Sequence, residues 1–403
     1  MSLGTSSPAP SVPRRIDRGF SPEFELLLAC CSVSEREFVE SELKGLETGV
    51  DWRRVLQLAE HHSVLPLMYR ALRNHLHLLP PEVRAELQAR YEANARKNLK
   101  FTAELFRILD CLEANGIPAI PYKGPVLAET VYGDLALRDF SDLDVLVRPS
   151  DVRRAKSALH RLGYTPSTDL SPATEGAYLA TGYEYIFDGS AGRNLLEIQW
   201  NIVPRFYAVD FSMDGFFERA SSATLAGRAV RSLSPEDLLL TLCVHAAKHA
   251  WIRLRWLRDI AGVLKSPQLN WGVVEQRAHD LGIWRMVGVS LVLAHGLLEA
   301  DLPEVLHKKL EDDREIESLC GAIARLLPTA EEFNAESPAY FRLMIRLRER
   351  ASDKLRFLFR LAVTPGVGEW NAARLPAALF PLYRVVRVFR LLAKLTASGG
   401  EKR

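Results

Sequence analysis

The feature that most constrains this chain is the short run SDLDVLV at residues 141–147. It is apolar enough to be a buried strand, yet it carries Asp142 and Asp144. Alternate residues of a strand point to the same face, so both acids are expected on one side. Two like charges side by side are costly to bury. They suit Mg²⁺, which takes oxygen ligands and shares them with substrate phosphates. The run therefore points toward phosphoryl or nucleotidyl transfer.

The segments around this run predict alternating strands and helices. IPAIPYKG reads as a short buried strand that ends in a glycine turn, and PVLAETVYG as a helix of about two turns. After SDLDVLV we expect the amphipathic helix DVRRAKSALHRLG, and then two strands, YEYIFDG and RNLLEIQWNIV. Strand, helix, strand and helix in this order imply α/β packing. The chain on either side of this unit has helical periodicity.

Composition narrows the class of protein. The 403 residues are 48% hydrophobic and 25% charged, with a net charge of +2. This near-neutral balance does not favour a nucleic-acid partner. The five cysteines are scattered and lack CxxC spacing, which indicates reduced thiols and a cytoplasmic protein. The polar, Pro- and Ser-rich N-terminus has no apolar core of a signal peptide, and no stretch is apolar enough to span a bilayer.

A set of short motifs surrounds the acidic pair. The chain has Lys123-Gly124, Leu127, Tyr132-Gly133, Arg138, the run 141–147 and Gly163-Tyr164. This order resembles the nucleotidyltransferase superfamily with the polymerase-beta-like fold, and more closely an uncharacterised bacterial branch of it. The resemblance covers about residues 116–205 and continues into the helical segment that begins at Ser234.

The resemblance implies an α+β fold, with a small mixed-sheet, palm-like core embedded between N-terminal and C-terminal helical regions and mostly α overall. The regions we expect are a disordered leader 1–20, an N-terminal helical region 21–115, the nucleotidyltransferase core 116–230, a helical substrate-side region 231–300 and a C-terminal helical region 301–403.

The superfamily also implies a site. Two carboxylates on one strand, here Asp142 and Asp144, bind Mg²⁺ or Mn²⁺, and a third acid on a neighbouring strand completes the set. We assign the third acid to Glu197 in LLEIQW, which matches a hydrophobic–acid–hydrophobic–His–Trp pattern. Gln199 stands where that pattern has His. Glu184 in YEYIF is the alternative third acid.

Phosphate contacts are expected from Lys123, Gly124, Arg138 and Ser141. Many members of the superfamily have Gly-Ser at the turn, whereas this chain has Gly124-Pro125, and proline has no N–H to donate. Lysine is a compact charge suited to phosphate. For Arg138 an alternative remains, because a structural ion pair with Asp134 or Asp139 would occupy the same guanidinium.

Two helical motifs lie beyond this core. His245 and His249 are four residues apart on a predicted helix, and with Lys248 and Asp259 they are expected near the substrate cleft. A zinc pair or simple helix packing are the alternatives for the histidines. Near the C-terminus, a basic stripe alternates with apolar residues at Arg384, Arg387, Arg390 and Lys394. Packing on its own protein, an anionic membrane surface and a nucleic-acid backbone are its three interpretations.

Together these observations predict a nucleotidyltransferase. It would move a nucleoside monophosphate from an NTP, expected to be ATP, to an acceptor hydroxyl or phosphate, and release pyrophosphate. The sequence does not identify the acceptor, and a small molecule is favoured. One alternative is a catalytically silent nucleotide-binding or regulatory module. Another is a toxin-like modifier of a protein or RNA.

Overall fold

The computed structural model describes residues 19–34, 49–168, 170–189, 194–331, 334, 337–365, 379, 382–387 and 389. Three predicted features therefore lie wholly or mostly outside the described residues. They are most of the leader 1–20, residues 35–48 of the expected N-terminal helical region, and the part of the basic stripe formed by Arg390 and Lys394. None of the helices in the described part of the chain is long and apolar enough to cross a membrane.

Seven short strands in the described part of the chain form two sheets. A five-stranded mixed sheet has the order β1-β2-β5-β4-β3, in which β2 and β5 are parallel and the other neighbours are antiparallel. A separate antiparallel hairpin is made by β6 and β7. The strands are β1 Ala119–Pro121, β2 Leu143–Val147, β3 Thr165–Pro166, β4 Glu184–Asp188, β5 Asn194–Gln199, β6 Ser221–Leu225 and β7 Arg228–Ser232.

Helices make up most of the described chain. Those before and within the sheet region are α1 Pro22–Cys31, α2 Trp52–His61, α3 Leu65–Leu72, α4 Pro81–Ala114, α5 Gly124–Tyr132, α6 Val152–Arg161, α7 Pro172–Thr181 and α8 Met213–Glu218. Those after it are α9 Pro235–Lys248, α10 Leu254–Val263, α11 Trp271–Leu281, α12 Trp284–Leu298, α13 Glu304–Glu311, α14 Arg314–Leu326, α15 Pro338–Arg346 and α16 Ala351–Val363. The prediction of a mostly helical α+β protein with a small mixed sheet is confirmed, whereas the boundaries of its regions stay a prediction.

The alternation of β2 explains why the run SDLDVLV folds as it does. Leu143, Val145 and Val147 belong to one apolar core, together with residues of α4 and α6. Leu146 belongs to the other, larger core. Asp144 lies between these residues in sequence and is buried as well. One face of β2 is thus fixed by packing, and the register that this packing sets leaves Asp144 on the opposite face.

The helical segment after Ser234 does not continue as one helix. It begins as expected, with the Ser234 side chain accepting a hydrogen bond from the Asp237 N–H. It ends at Lys248, because Ala250 and Trp251 both have left-handed backbone angles, with φ of 51° and 53°. Asp259 therefore belongs to a second helix, α10, and does not lie on the helix that carries His245. Consecutive non-glycine residues in this conformation are strained. The buried Trp251 stabilises the corner, since its indole N–H donates to Ser290 Oγ over 2.9 Å.

Candidate active site

Three carboxylates meet at the edge where β2 and β5 run side by side. Asp144 and Glu197 are direct cross-strand partners in this parallel pair, and Asp142 lies one residue before β2 begins. All three line one cavity of about 580 Å³ between the sheet and the helices α9 and α10. A volume of this order suits a small-molecule ligand. The sheet register thus brings together the three acids that the sequence suggested.

Glu184, the alternative third acid, also lines this cavity. It lies on β4, where it pairs across the strands with Gln199 rather than with Glu197. Glu197 is therefore one strand from Asp144, whereas Glu184 is two strands away. This order favours Glu197 without removing Glu184 from the cavity.

Gln199 connects the acids. Its amide nitrogen donates to Glu197 Oε2 over 2.8 Å and to Asp144 Oδ1 over 3.1 Å, with a longer contact of 3.4 Å to Glu184. Its amide oxygen accepts a hydrogen bond of 2.6 Å from the Tyr122 hydroxyl. A neutral donor therefore stands between the carboxylates at the position where the family pattern has His.

Lys123 contacts the same cluster of carboxylates. Its ammonium forms a 2.8 Å ion pair with Asp144 Oδ1, and both side chains are almost completely buried. The following Gly124 has a positive φ of 54°, and a Cβ there would lie 3.4 Å from the carbonyl oxygen of Asp142. Glycine is thus required for the turn into α5 and for the close approach of that turn to β2. Gly124 itself does not line the cavity, whereas Lys123 and Ser141 do.

The clustered acids perturb one another. Burial, together with the charges of Asp144 and Glu184, raises the pKa of Glu197 to about 9. Burial and Asp144 likewise raise the pKa of Asp142 above its ordinary value. For Lys123, burial alone would lower the pKa, but the neighbouring charge of Asp144 outweighs it and the pKa is raised. A bound cation would oppose these shifts of the two carboxyl groups, because it favours the charged form of a nearby carboxyl.

Arg138 has a partner that the sequence did not suggest. Its Nε and Nη2 each donate over 2.9 Å to the two oxygens of Asp259, and both residues are almost fully buried. The hydroxyl of Tyr132 donates to the same carboxylate over 2.6 Å. Neither of the two expected acids forms this pair. Asp139 pairs with Lys97, and Asp134 accepts from the Ala136 N–H.

Asp259 is therefore not a cavity-lining residue, whereas Arg138 is. The carboxylate lies behind the guanidinium and holds it in place. Since Nε and Nη2 of Arg138 are hydrogen-bonded to Asp259, Nη1 is the nitrogen that can contact a ligand.

The helical wall of the cavity carries the predicted His245, Lys248 and His249. The two histidine rings lie 4.8 Å apart, and His249 stacks on Trp256 at 4.9 Å. Burial and the nearby Lys248 lower the pKa of His249 to about 3, so its ring is neutral near pH 7. Lys248 donates to the Tyr183 hydroxyl over 2.8 Å, and burial lowers the pKa of its ammonium.

Several lining residues were missed from the sequence. Arg253, Arg255 and Trp256 enter the wall because the left-handed corner at 250–251 redirects the chain, and Tyr122 and Tyr183 reach it from the sheet side. Alternating basic residues in IRLRW, directly after the two histidines, were the available signal. No periodicity rule predicts two consecutive left-handed residues in AW, so the signal could not be placed in the fold.

Metal ligands are not preassembled. In the part of the chain that the structure describes, no group of three or more His, Cys, Asp or Glu side chains is arranged to hold a metal ion. Lys123 and Gln199 instead occupy oxygens of Asp144 and Glu197.

Comparison with known proteins gives one family. A family model described as "Uncharacterised nucleotidyltransferase" matches residues 48–299, which is more than half of the chain and includes every residue of the cavity. Among solved structures, the solution structure of the antibiotic-resistance factor ANT(2'')-Ia is similar at 14% identity with a TM-score of 0.33. The match covers 45% of this chain and 91% of that one. No curated protein matches the chain.

Proposed function

Since the chain belongs to the family of uncharacterised nucleotidyltransferases and is thus a transferase, we propose a specific reaction. It transfers a nucleoside monophosphate from an NTP to an acceptor hydroxyl or phosphate and releases pyrophosphate. The observation that carries this proposal is the convergence of Asp142, Asp144 and Glu197 on one edge of one cavity. Acids at this spacing on two parallel strands are costly to keep together unless a cation neutralises them.

The donor set fits a divalent metal. Asp142, Asp144 and Glu197 offer the hard carboxylate oxygens that Mg²⁺ or Mn²⁺ prefers. Burial and the neighbouring acids raise the pKa of Glu197, and a bound cation would lower it by favouring the charged form. When bound, the metal supplies charge neutralisation for the triphosphate and for the departing pyrophosphate. Gln199 and Lys123 would give up their present hydrogen bonds to these acids.

The remaining residues act on the phosphates. Lys123, once it is no longer needed by Asp144, places a positive charge beside the triphosphate. Arg138 is held rigidly by Asp259 and offers Nη1 to a phosphate oxygen. Ser141 lies in the cavity wall next to Asp142 and can donate its hydroxyl. Positioning and charge neutralisation of this kind account for most of the catalysis of phosphoryl-type transfer.

The volume and lining of the cavity also limit which substrates it can hold. A space of about 580 Å³ suits a nucleotide with a compact acceptor, and we propose ATP and a small molecule. The helical wall contributes Lys248, Arg253 and Arg255, and burial lowers the pKa of the Lys248 ammonium. The described cysteines are all free thiols, which agrees with a cytoplasmic enzyme.

One observation favours a second function. Because Lys123 and Gln199 already satisfy oxygens of Asp144 and Glu197, the acids are partly neutralised without a metal. A silent nucleotide-binding or regulatory module would keep this arrangement permanently. Such a module would bind nucleotide with equal affinity in the wild type and in Asp142→Asn, and would release no pyrophosphate.

The two functions are separated by incubating the purified chain with each α-labelled NTP and Mg²⁺, and measuring both pyrophosphate release and transfer of label. A cell extract freed of macromolecules supplies candidate small acceptors, and the retained macromolecular fraction tests a protein or RNA acceptor. Metal-dependent release with label in the small-molecule fraction supports the proposal. Nucleotide binding measured by calorimetry without any release contradicts it.

The assignment of the third acid gives a further prediction. We expect Glu197→Gln to lower the rate of pyrophosphate release by roughly a hundredfold or more, since it removes a metal-facing oxygen charge. Glu184→Gln is the matched control, because both side chains line the cavity, both contact Gln199, and both changes are the same. We expect less than a tenfold loss for it. A larger loss in Glu184→Gln than in Glu197→Gln would transfer the role to Glu184.

A further inference from the structure

Exposed apolar side chains are concentrated at one end of the chain. Ten large hydrophobic residues are exposed in the described part of the protein, and seven of them lie between positions 355 and 389. They are Leu355, Leu358, Phe359, Leu379, Leu382, Val385 and Phe389. Single exposed apolar residues are normal, but a concentration of this kind indicates a docking surface.

Helix α16 shows that this exposure is patterned. Asp353, Phe357 and Leu361 form its buried face at four-residue spacing. Leu355, Leu358 and Phe359 fall on the opposite side of the helix, and Leu355 and Phe359 are each 67% exposed. The helix is therefore apolar on both sides, although only one side packs on the protein. Its outer side is left uncovered by the described part of the protein and is available to a partner.

The helical residues 383–387 and their neighbours repeat the arrangement. Tyr383 is buried, whereas Leu382, Val385 and Phe389, at spacings of three and four, are exposed. Arg387 joins this segment to α16, because its Nε donates to the carbonyl oxygen of Leu361 over 2.6 Å. Its guanidinium also lies 5.6 Å from the centre of the Phe206 ring. We call the seven exposed residues the C-terminal apolar surface.

Charge identifies the kind of partner. Residues 340–403 contain 14 Lys and Arg but only 4 Asp and Glu, whereas residues 1–339 contain 38 and 46. The near-zero net charge of the whole chain thus conceals a strongly basic C-terminal end and an acidic remainder. The C-terminal end thus combines outward apolar side chains with an excess of basic residues in its sequence, and this combination is complementary to the acyl-chain boundary and the headgroups of an anionic bilayer.

We propose that the C-terminal apolar surface docks on an anionic lipid bilayer and holds this enzyme at the membrane surface. A symmetric contact between the C-terminal apolar surfaces of two copies fits less well, because it would bring like charges together. A nucleic acid would pair with the basic residues, but its phosphate backbone offers nothing to the outward leucines and phenylalanines. The proposal does not depend on the reaction that the enzyme catalyses.

Vesicle flotation with the purified full chain tests this. We expect it to float with vesicles of phosphatidylcholine and phosphatidylglycerol, and to stay behind with phosphatidylcholine alone. Raising NaCl from about 0.1 M to about 1 M should release part of the bound protein, since the Debye length falls from ~10 Å to ~3 Å. Phe359→Glu and Val385→Glu should each weaken vesicle binding by roughly tenfold or more.

Val305→Glu is the matched control. Val305 is 70% exposed on α13, outside the C-terminal apolar surface, so its change should leave vesicle binding intact. Thermal unfolding shows whether each variant is folded. Because the substituted side chains are exposed, we expect the melting temperatures to equal that of the wild type. Equal binding to neutral and anionic vesicles overturns the proposal, as does equal loss in the Val305 variant. Self-association or RNA binding by the wild type without any vesicle binding overturns it in favour of those partners.

Discussion

Asp142→Asn and Asp144→Asn are each expected to lower the rate of NTP-dependent pyrophosphate release by roughly a thousandfold or more. Each change replaces a charged carboxylate oxygen of the proposed metal site by a neutral amide of nearly the same shape. The two acids lie at the start of β2, on the side of the sheet that faces the cavity. In the proposed mechanism, several kcal/mol of transition-state stabilisation depend on the charge of these oxygens. Steady-state kinetics at saturating NTP and Mg²⁺ measures the loss.

The two variants should differ in stability although they share the loss of activity. Asp144 is the ion-pair partner of Lys123, and both are nearly buried, so Asp144→Asn leaves a buried ammonium without its counter-charge. Asp142 is only partly buried and forms no ion pair in the described structure, and its raised pKa shows that its charge is not stabilised there. We therefore expect a lower melting temperature for Asp144→Asn than for Asp142→Asn.

Asp139→Asn provides the control for both. Asp139 is three residues before Asp142 and pairs with Lys97 at a half-exposed position. Loss of such a pair costs little, and its removal should leave the rate within a few-fold of the wild type. If Asp142→Asn retained wild-type turnover while folded, the proposed metal-dependent role of Asp142 would be incorrect. A wild type and an Asp142→Asn variant that bound NTP equally and released no pyrophosphate would instead indicate the silent nucleotide-binding role.

The parts of this fold that follow local rules could be predicted from sequence. The β2 run, the turn at Gly124 and the acid at 197 follow from alternation, backbone freedom and the motif pattern, and the structure pairs Asp144 with Glu197 across parallel strands. Residues 221–232 form a hairpin that we did not predict, because its strands mix serines and arginines with few apolar residues. Its stability comes from packing against the rest of the chain, which strand periodicity does not encode.

The residues that line the cavity could not all be predicted from local sequence patterns. Arg138 and Asp259 are 121 positions apart, so no local pattern could select Asp259 over the nearby Asp134 and Asp139. The corner at Ala250 and Trp251 is equally unsuited to prediction, because both residues normally continue a helix. Long-range pairing and a strained corner determine which side chains line the helical wall, and this is why its arginines were missed.

The Arg138–Asp259 pair is the second place where a large effect is expected. Arg138→Leu should destabilise the protein by about 3–5 kcal/mol, because it leaves the Asp259 carboxylate buried with the Tyr132 hydroxyl as its remaining partner. Asp259→Leu should destabilise the protein by a similar amount, since it leaves the buried Arg138 guanidinium without its counter-charge. The double variant should recover much of the loss, as apolar replacement of a whole buried pair is often close to neutral. Chemical denaturation of the three variants measures these free energies, with Lys97→Ala as the half-exposed control expected to cost below about 1 kcal/mol.

The folded double variant also decides what Arg138 does in the cavity. If Nη1 contacts a phosphate, the double variant should bind NTP at least about tenfold more weakly, since a hydrogen bond to a charged group contributes about 1.5–3 kcal/mol. If the guanidinium serves only to join α10 to the segment before β2, NTP affinity should be unchanged while the single variants remain unstable. Isothermal titration with NTP and Mg²⁺ distinguishes the two outcomes. An unchanged affinity would remove Arg138 from the phosphate-binding set and leave Lys123 and Ser141 as its proposed members.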